Sequence, residues 1–173
     1  MREDYEIIKN ELALYADELA ARPRIVVANK IDVPGVEEVA DRLAERVREL
    51  ELMELLRDSV ENGFKGFSLC YQPQVEAATG CVVGAEALAR WRCDEYGDLS
   101  PLEFIPLLEE SGLIVPVGTW VLQHAVDTCK RWRKAIPSFT MSVNLSYRQL
   151  DEAKLVPSIA EALAATGLPP ANL

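Results

Sequence analysis

The chain has 173 residues, 49% of them apolar, which suits one or two small globular domains. It carries 18 Lys and Arg against 28 Asp and Glu, a net charge of -10. Such an acidic surface repels phosphate backbones and anionic membranes, so we expect no nucleic-acid partner and no membrane partner. Since no apolar run approaches the roughly 20 residues of a membrane-spanning helix, we expect a cytoplasmic protein.

The sequence pattern of the first part of the chain predicts a helix, a strand and a second helix. Residues 4–21 have helical periodicity, and the β-branched run 24–28 is typical of a buried strand. Apolar residues at helical spacing then continue from Val39 to Val60 with no Pro or Gly between them. We therefore predict helix through residues 47–51, as part of one continuous helix.

Two strands are predicted next. Asn62-Gly63 marks a turn, and the segments Phe67–Val75 and Cys81–Trp91 both favour strands. Because the connection between them is short, we predict an antiparallel hairpin. The polar stretch Cys93–Leu99 is predicted to be a loop.

The following helix has clear start and stop signals. Ser100 is an N-cap, Pro101 takes the first helical position and Glu103 completes a capping box. Gly112 ends the helix.

The remaining elements alternate. We predict a helix over Val117–Ala135, a strand over Thr140–Leu145 and a helix over Leu155–Thr166. Such alternation of strands and helices favours a parallel α/β sheet or barrel. Another strand is expected to begin where the chain stops.

The four cysteines do not form a metal-binding pattern. Cys70, Cys81, Cys93 and Cys129 contain no CxxC pair, and His124 is the single histidine. We expect reduced, buried thiols, although Cys70 and Cys81 could face each other across the hairpin.

Six short motifs in the second part occur in a fixed order. They are Tyr71–Pro73, Glu86–Trp91, Pro101–Leu107, Glu109–Ile114, Trp120–Leu122 and Val143–Leu150. In order, spacing and predicted elements they resemble the EAL family of cyclic di-GMP phosphodiesterases. The resemblance covers about residues 51–173 and implies an α/β fold, the first part of a TIM-like barrel. It divides the chain into a domain over 1–47 and an EAL domain over 48–173, incomplete at its C-terminus.

The resemblance implies a metal-dependent site. Glu86 would be the catalytic residue and a metal ligand, Asn144 a second metal ligand, and Mg²⁺ or Mn²⁺ the cofactor, since hard oxygen donors suit these ions. A carboxylate at the C-terminal end of a barrel strand is well placed for catalysis. Arg90 would bind a phosphate of cyclic di-GMP, and Gln72 would line the opening of the same site.

Each of these residues also has an ordinary structural interpretation. Glu86 would then be a surface carboxylate, Asn144 a strand-end turn residue and Arg90 a member of a surface ion pair. Glu109 and Glu110 fit a solvated helix end better than a set of metal ligands.

The resemblance also implies that part of the site is missing. In the EAL family the remaining carboxylates and a Lys follow the point where this chain ends. Two-metal hydrolysis of a phosphodiester needs several carboxylates, so we expect negligible turnover by this chain alone. A half-built barrel leaves open sheet edges, which favour self-association.

The motif Asn29-Lys30-Ile31-Asp32 follows the first predicted strand. Asp32 can accept from the two donors on one guanine edge, Asn29 can contact the opposite edge and the stem of Lys30 can cover the ring. With residues 3–46 around it, the motif resembles the Obg family of ribosome-associated GTPases and implies an α-β-α fragment of a GTPase-like domain. The phosphate loop GxxxxGK[ST] is absent from the sequence, so guanine binding would be weak, and a loop without a ligand is the alternative.

Three functional hypotheses follow. The first is a fragment of a cyclic di-GMP phosphodiesterase, and the second is a catalytically dead EAL-like module that binds a nucleotide or a protein. The third is an Obg-type GTPase fragment. Joining pieces of two families points to a natural fusion or to a truncated or misjoined reading frame.

Overall fold

The computed structural model describes residues 36–150 and 153–173. The chain forms two compact units, Met1–Leu50 and Glu51–Leu173. The predicted helix over 4–21 and strand over 24–28 lie outside the described residues. The elements below belong to the second unit, except for the first part of helix α1.

Helix α1 spans Val36–Glu61 without interruption. The prediction of helix through residues 47–51 is therefore confirmed. The helix ends where Asn62 Nδ2 donates to the carbonyl of Asp58 at 3.0 Å and Gly63 adopts a φ of 75°. Glycine tolerates this left-handed conformation, which turns the chain out of the helix.

The predicted hairpin is confirmed. Strands β1 (Phe67–Val75) and β2 (Val82–Cys93) pair antiparallel, from Phe67 opposite Trp91 to Val75 opposite Val82. β1 has the predicted bounds, whereas β2 begins one residue later than predicted and ends two residues later.

The polar stretch after β2 is not only a loop. Strand β3 (Gly97–Leu99) pairs antiparallel with the end of β2, placing Leu99 opposite Trp91. The prediction of a loop over Cys93–Leu99 is thus wrong for these three residues. Gly97 has a φ of 70°, and this conformation lets the chain return directly along β2.

Strand β4 (Thr140–Val143) lies parallel to β2, from Gly84 opposite Thr140 to Ala87 opposite Val143. It ends two residues earlier than predicted. β1 occupies one side of β2, so β3 and β4 both lie on the other side. There β4 pairs with Gly84–Ala87 and β3 pairs with Trp91–Cys93. Among the described strands, none pairs with Leu88–Arg90 on the side of β2 away from β1, so a gap separates β3 from β4.

The predicted capping box of helix α2 (Pro101–Ser111) is confirmed. Glu103 Oε2 accepts from the Ser100 amide at 3.1 Å, and Ser100 Oγ accepts from the Leu102 amide at 3.3 Å. Gly112 ends the helix with a φ of 77°.

Four further helical elements complete the described chain. They are α3 (Ile114–Trp132), α4 (Tyr147–Leu150), α5 (Leu155–Thr166) and a 3₁₀ turn (Pro170–Asn172). Helix α3 begins three residues before its predicted start and ends three residues before its predicted end, while α5 has the predicted bounds.

The helices pack on one face of the sheet. Ala85, Ala87 and Trp91 of β2 are almost fully buried and point to the helices. The core has two parts along β2. One contains Leu56, Trp91, Phe104, Leu108 and Val117, and the other contains Ala87, Leu122, Val126, Met141 and Leu168.

Trp91 anchors the first part of the core. Its ring is 1% exposed and lies 6.1 Å from the rings of both Phe67 and Phe104. Its Nε1 donates to Ser59 Oγ at 3.1 Å, so the indole N–H has a partner although it is buried. Burial of this size stabilises a fold by several kcal/mol, roughly 3–5 kcal/mol for a Trp.

The cysteine predictions are partly wrong. All four cysteines are free thiols, but Cys70 and Cys81 are exposed, Cys93 is half-buried and Cys129 alone is buried. The strand register places Cys70 opposite Leu88, and Cys81 precedes the first paired residue of β2. The two cannot face each other, because register in a hairpin is fixed by its turn.

Within the described part of the chain, no helix is both long enough and apolar enough to cross a bilayer.

Candidate active site at the carboxyl end of β4

The parallel pairing of β2 and β4 brings the two predicted metal ligands together. Glu86 lies opposite Ser142, and Asn144 directly follows the end of β4. Asn144 Nδ2 donates to Glu86 Oε1 at 2.6 Å across 58 residues of sequence. The two side chains thus lie together on parallel neighbouring strands, as a shared site requires.

Glu86 lies on the sheet face that the helices leave open. Its neighbours Ala85 and Ala87 are buried under the helices, so alternation along the strand turns Glu86 to the opposite face. Gln72 of β1 lies directly opposite Glu86 in the antiparallel ladder and is exposed. Directly opposed residues share a face, so Gln72 lines the same side of the sheet as Glu86.

The position of Glu86 along its strand differs from the prediction. We expected it at the carboxyl end of β2, but the strand continues to Cys93. The reason is that β2 extends past β4 to pair with β1 and β3. Glu86 is therefore next to the carboxyl end of β4, not of its own strand.

Arg90 shares the open face with Glu86 but is not adjacent to it. Four residues along an extended strand separate their Cα atoms by roughly 13 Å. Arg90 is half-buried, and its Nη1 donates to the carbonyl of Ala89 at 2.8 Å. The site is consequently elongated, with a carboxylate near one end and a guanidinium near the other.

The loop after β4 is held by three residues that the sequence interpretation assigned no role in the site. Ser146 Oγ donates to Glu109 Oε1 at 2.6 Å, and the Ser146 amide donates to Gln149 Oε1 at 3.0 Å. Glu109 is half-buried and hydrogen-bonded, so it is less solvated than expected, whereas Glu110 is exposed as expected of a helix end. Ser146 and Gln149 have the spacing of a capping box, a signal that could have been read from the sequence.

A cavity of about 260 Å³ opens between β2, helices α2 and α3, and this loop. Its walls are mainly apolar, from Ile105, Ile114 and Val117, and the backbone of Leu88–Arg90 forms one side. Its polar lining comes from Arg90, Glu109, Asn144, Ser146 and Gln149.

The donor set at Glu86 and Asn144 fits part of a metal site. Carboxylate and amide oxygens are the ligands that Mg²⁺ and Mn²⁺ prefer. Residues 36–150 and 153–173 contain no group of three or more His, Cys, Asp or Glu side chains that could hold a metal ion. These two side chains therefore supply one charged and one neutral ligand, and the other coordination positions would fall to water or to other groups.

The predicted guanine-binding residues Asn29, Lys30 and Asp32 lie outside the described residues. Their role stays a prediction.

The sequence pattern of the EAL domain matches residues 53–173, which is more than half of the chain. The chain belongs to the EAL domain family. The match begins after the Obg-like segment, so it gives that segment no support.

Curated relatives carry names from cyclic di-GMP signalling. The bifunctional diguanylate cyclase/cyclic di-GMP phosphodiesterase MucR of Pseudomonas aeruginosa is 38% identical over 126 residues, covering 72% of this chain and 18% of MucR. The cyclic di-GMP phosphodiesterase PdeR of Escherichia coli is 38% identical over 108 residues, covering 62% of this chain and 16% of PdeR. This EAL chain thus spans less than a fifth of the length of these relatives.

Solved EAL structures have the same mixed α/β fold. The cyclic di-GMP complex of the MucR phosphodiesterase superposes with a TM-score of 0.67 at 38% identity, covering 71% of this chain and 49% of that one. The FimX EAL domain of Pseudomonas aeruginosa bound to cyclic di-GMP gives a TM-score of 0.58 at 25% identity, covering 69% of this chain and 46% of that one. The chain therefore covers about half the length of these two solved chains.

Proposed function

We propose that residues 51–173 form one wall of a cyclic di-GMP phosphodiesterase site of the EAL type. The observation that carries this proposal is the 2.6 Å contact between Asn144 Nδ2 and Glu86 Oε1 across two parallel strands. It places a carboxylate and an amide side by side at the carboxyl end of β4, and α/β barrels hold their catalytic groups at this end of their strands.

Glu86 and Asn144 would hold a divalent cation, Mg²⁺ or Mn²⁺. When bound, such an ion supplies positive charge at the phosphate and lowers the pKa of a coordinated water. Asn144 donates its N–H to Glu86 and so orients the carboxylate. The Oδ1 atom of Asn144 would then coordinate the cation. Glu86 provides the only negative charge of this pair, which makes it the residue on which metal affinity depends most.

Gln72 and Arg90 would bind the dinucleotide along the open face. A guanidinium forms paired hydrogen bonds with phosphate oxygens, so Arg90 suits a phosphate. Its distance from Glu86 along β2, roughly 13 Å, suits a ligand that is longer than a single phosphate group. Gln72 lies opposite Glu86 and offers both a donor and an acceptor to the same ligand.

This chain by itself is expected to bind without turnover. One carboxylate and one amide are too few to hold two ions and to activate a water, as two-metal hydrolysis requires. Binding of a nucleotide or of a protein chain without hydrolysis is the alternative activity. Among the described strands, β1 and β4 each pair on one side only, and these edges would support self-association.

The experiment follows formation of the linear dinucleotide from cyclic di-GMP with Mg²⁺ or Mn²⁺ present, together with calorimetric binding. We expect negligible product, and weak metal-dependent binding that Glu86→Ala and Arg90→Ala each reduce at least several-fold. Glu161→Ala is the matched control, because Glu161 is an exposed residue of α5. Rapid metal-dependent hydrolysis that Glu86→Ala abolishes would contradict the expected lack of turnover. Binding that is unchanged in Glu86→Ala and Arg90→Ala would overturn the assignment of the site.

A further inference from the structure

We infer that Glu109 and Gln149 are positioning residues that fix Asn144 against Glu86 through Ser146. This inference rests on the proposed function, because it gives these residues a role in the same site. Neither side chain contacts Glu86 by hydrogen bond; both act on the loop that carries Asn144.

The loop is short and is fixed at both ends. At one end, Val143 pairs with Ala87 in the sheet. At the other end, Ser146 is held by Glu109 through its hydroxyl and by Gln149 through its amide. Only Asn144 and Leu145 lie between the two anchors, so the backbone of Asn144 has little freedom.

Glu109 occupies a position that is unfavourable for an anion unless it has a specific partner. It lies in the last turn of α2, where the helix dipole disfavours negative charge. It is half-buried and accepts from the Ser146 hydroxyl at 2.6 Å, the short distance of a charge-assisted hydrogen bond. The carboxylate thereby joins α2 to the loop after β4.

Gln149 joins the same loop to helix α3. Its side chain is 6% exposed and lies over Gly118, where an added Cβ would come within 2.7 Å of Gln149 Cδ. Gly118 has an ordinary helical backbone, so its lack of a side chain is explained by this close approach and not by a special φ. The absence of a Cβ at Gly118 thus provides the space for the Gln149 amide that binds Ser146.

The consequence is that Asn144 is positioned by two helices as well as by its own strand. Groups that orient a metal ligand typically change metal affinity by tenfold or more when removed. Glu109→Ala should release Ser146, and Gly118→Ala should displace Gln149, each moving Asn144 away from Glu86 by different routes.

The test uses the full chain and reads Asn144 directly. In ¹H–¹⁵N spectra, the side-chain amide of Asn144 should report its hydrogen bond to Glu86 through its chemical shift and slow exchange. We expect Glu109→Ala and Gly118→Ala each to shift this signal and to speed its exchange about tenfold, whereas Glu109→Gln, which keeps an acceptor oxygen, should restore most of the wild-type signal. Glu161→Ala is the surface control, and circular dichroism checks that each variant is folded.

A second arm adds Mn²⁺ and measures paramagnetic broadening around Glu86 and Asn144. We expect the Mn²⁺ concentration for half-maximal broadening to rise about tenfold in Glu109→Ala. An Asn144 signal that stays unchanged in folded Glu109→Ala and Gly118→Ala overturns the positioning role. Absence of broadening in the wild type instead overturns the metal site of the proposed function, while the Asn144 signal still decides the positioning role separately.

Discussion

The two faces of β2 are built from alternate residues of one strand, yet they have opposite roles. Ala85, Ala87 and Trp91 are buried under the helices, whereas Glu86 and Arg90 point to the open face. We expect the covered face to contribute most of the stability of the domain, and the polar groups of the open face to add little. The comparison predicts that adjacent residues of β2 can be exchanged with separate effects, one on stability and the other on the proposed binding site.

The largest effect is expected on the covered face. Trp91→Ala removes a fully buried ring and its hydrogen bond to Ser59, so it should lower the free energy of unfolding by about 3–5 kcal/mol. Urea denaturation followed by circular dichroism measures this loss. Arg90→Ala, one residue away on the other face, is the control and should lose less than about 1 kcal/mol. Equal losses in the two variants would contradict the separation of the faces.

An effect of intermediate size is expected on the cysteines: the exposed thiols should react faster than the buried one. Burial raises the pKa of the Cys129 thiol, and the nearby Arg133 only partly opposes this. An aromatic disulfide reagent at pH 8 should label the exposed Cys70 and Cys81 quickly and Cys129 only after unfolding.

The same raised pKa predicts a pH dependence of stability. The folded state keeps the Cys129 proton to a higher pH than the unfolded state does. The stabilisation that comes from this difference is therefore present in full below the unfolded pKa of roughly 8.5. It is lost as the pH rises from there through the folded pKa. The urea midpoint should therefore fall in this range, and it should fall less in Cys129→Ala. An equal fall in both proteins would assign the effect to other groups.

The smallest effect on stability is expected at Glu86. Glu86→Gln keeps the shape of the side chain and an acceptor for Asn144, so the free energy of unfolding should change by no more than about 0.5 kcal/mol. Mn²⁺ binding, followed by paramagnetic broadening, should nevertheless weaken at least tenfold because the charge is lost. A large loss of stability would show that the open face also supports the fold.

The sequence predicts the elements best where the signals are local. β1 and α5 have the predicted bounds because Gly, Pro and turn residues flank them. β3 was missed since three polar-loop residues are too few to show alternation. The start of α3 was placed too late, although Pro116 is compatible with a first helical turn.

The site was predictable to the extent that motifs encode it. Glu86 and Asn144 came from the family resemblance, and their convergence required only the parallel pairing of two strands. The contact between Ser146 and Glu109 was not predictable, because it joins residues 37 positions apart and depends on how α2 packs against the sheet. The contact between Gln149 and Ser146, by contrast, has a local signal in the Ser-x-x-Gln spacing of a capping box.

The gap between β3 and β4 determines what the backbone contributes to the wall of the cavity. At Leu88–Arg90, among the described strands, β2 has a partner on the β1 side only, and these residues form one side of the cavity. Peptide groups there offer donors and acceptors whose spacing is set by the strand, and one of them, the Ala89 carbonyl, already accepts from Arg90. Main-chain atoms are the same for every amino acid, so a hydrogen bond made to them would survive most alanine substitutions. Such contacts would depend on the shape of the strand, so a proline or an insertion in Leu88–Arg90 would alter them more than an exchange of side chains.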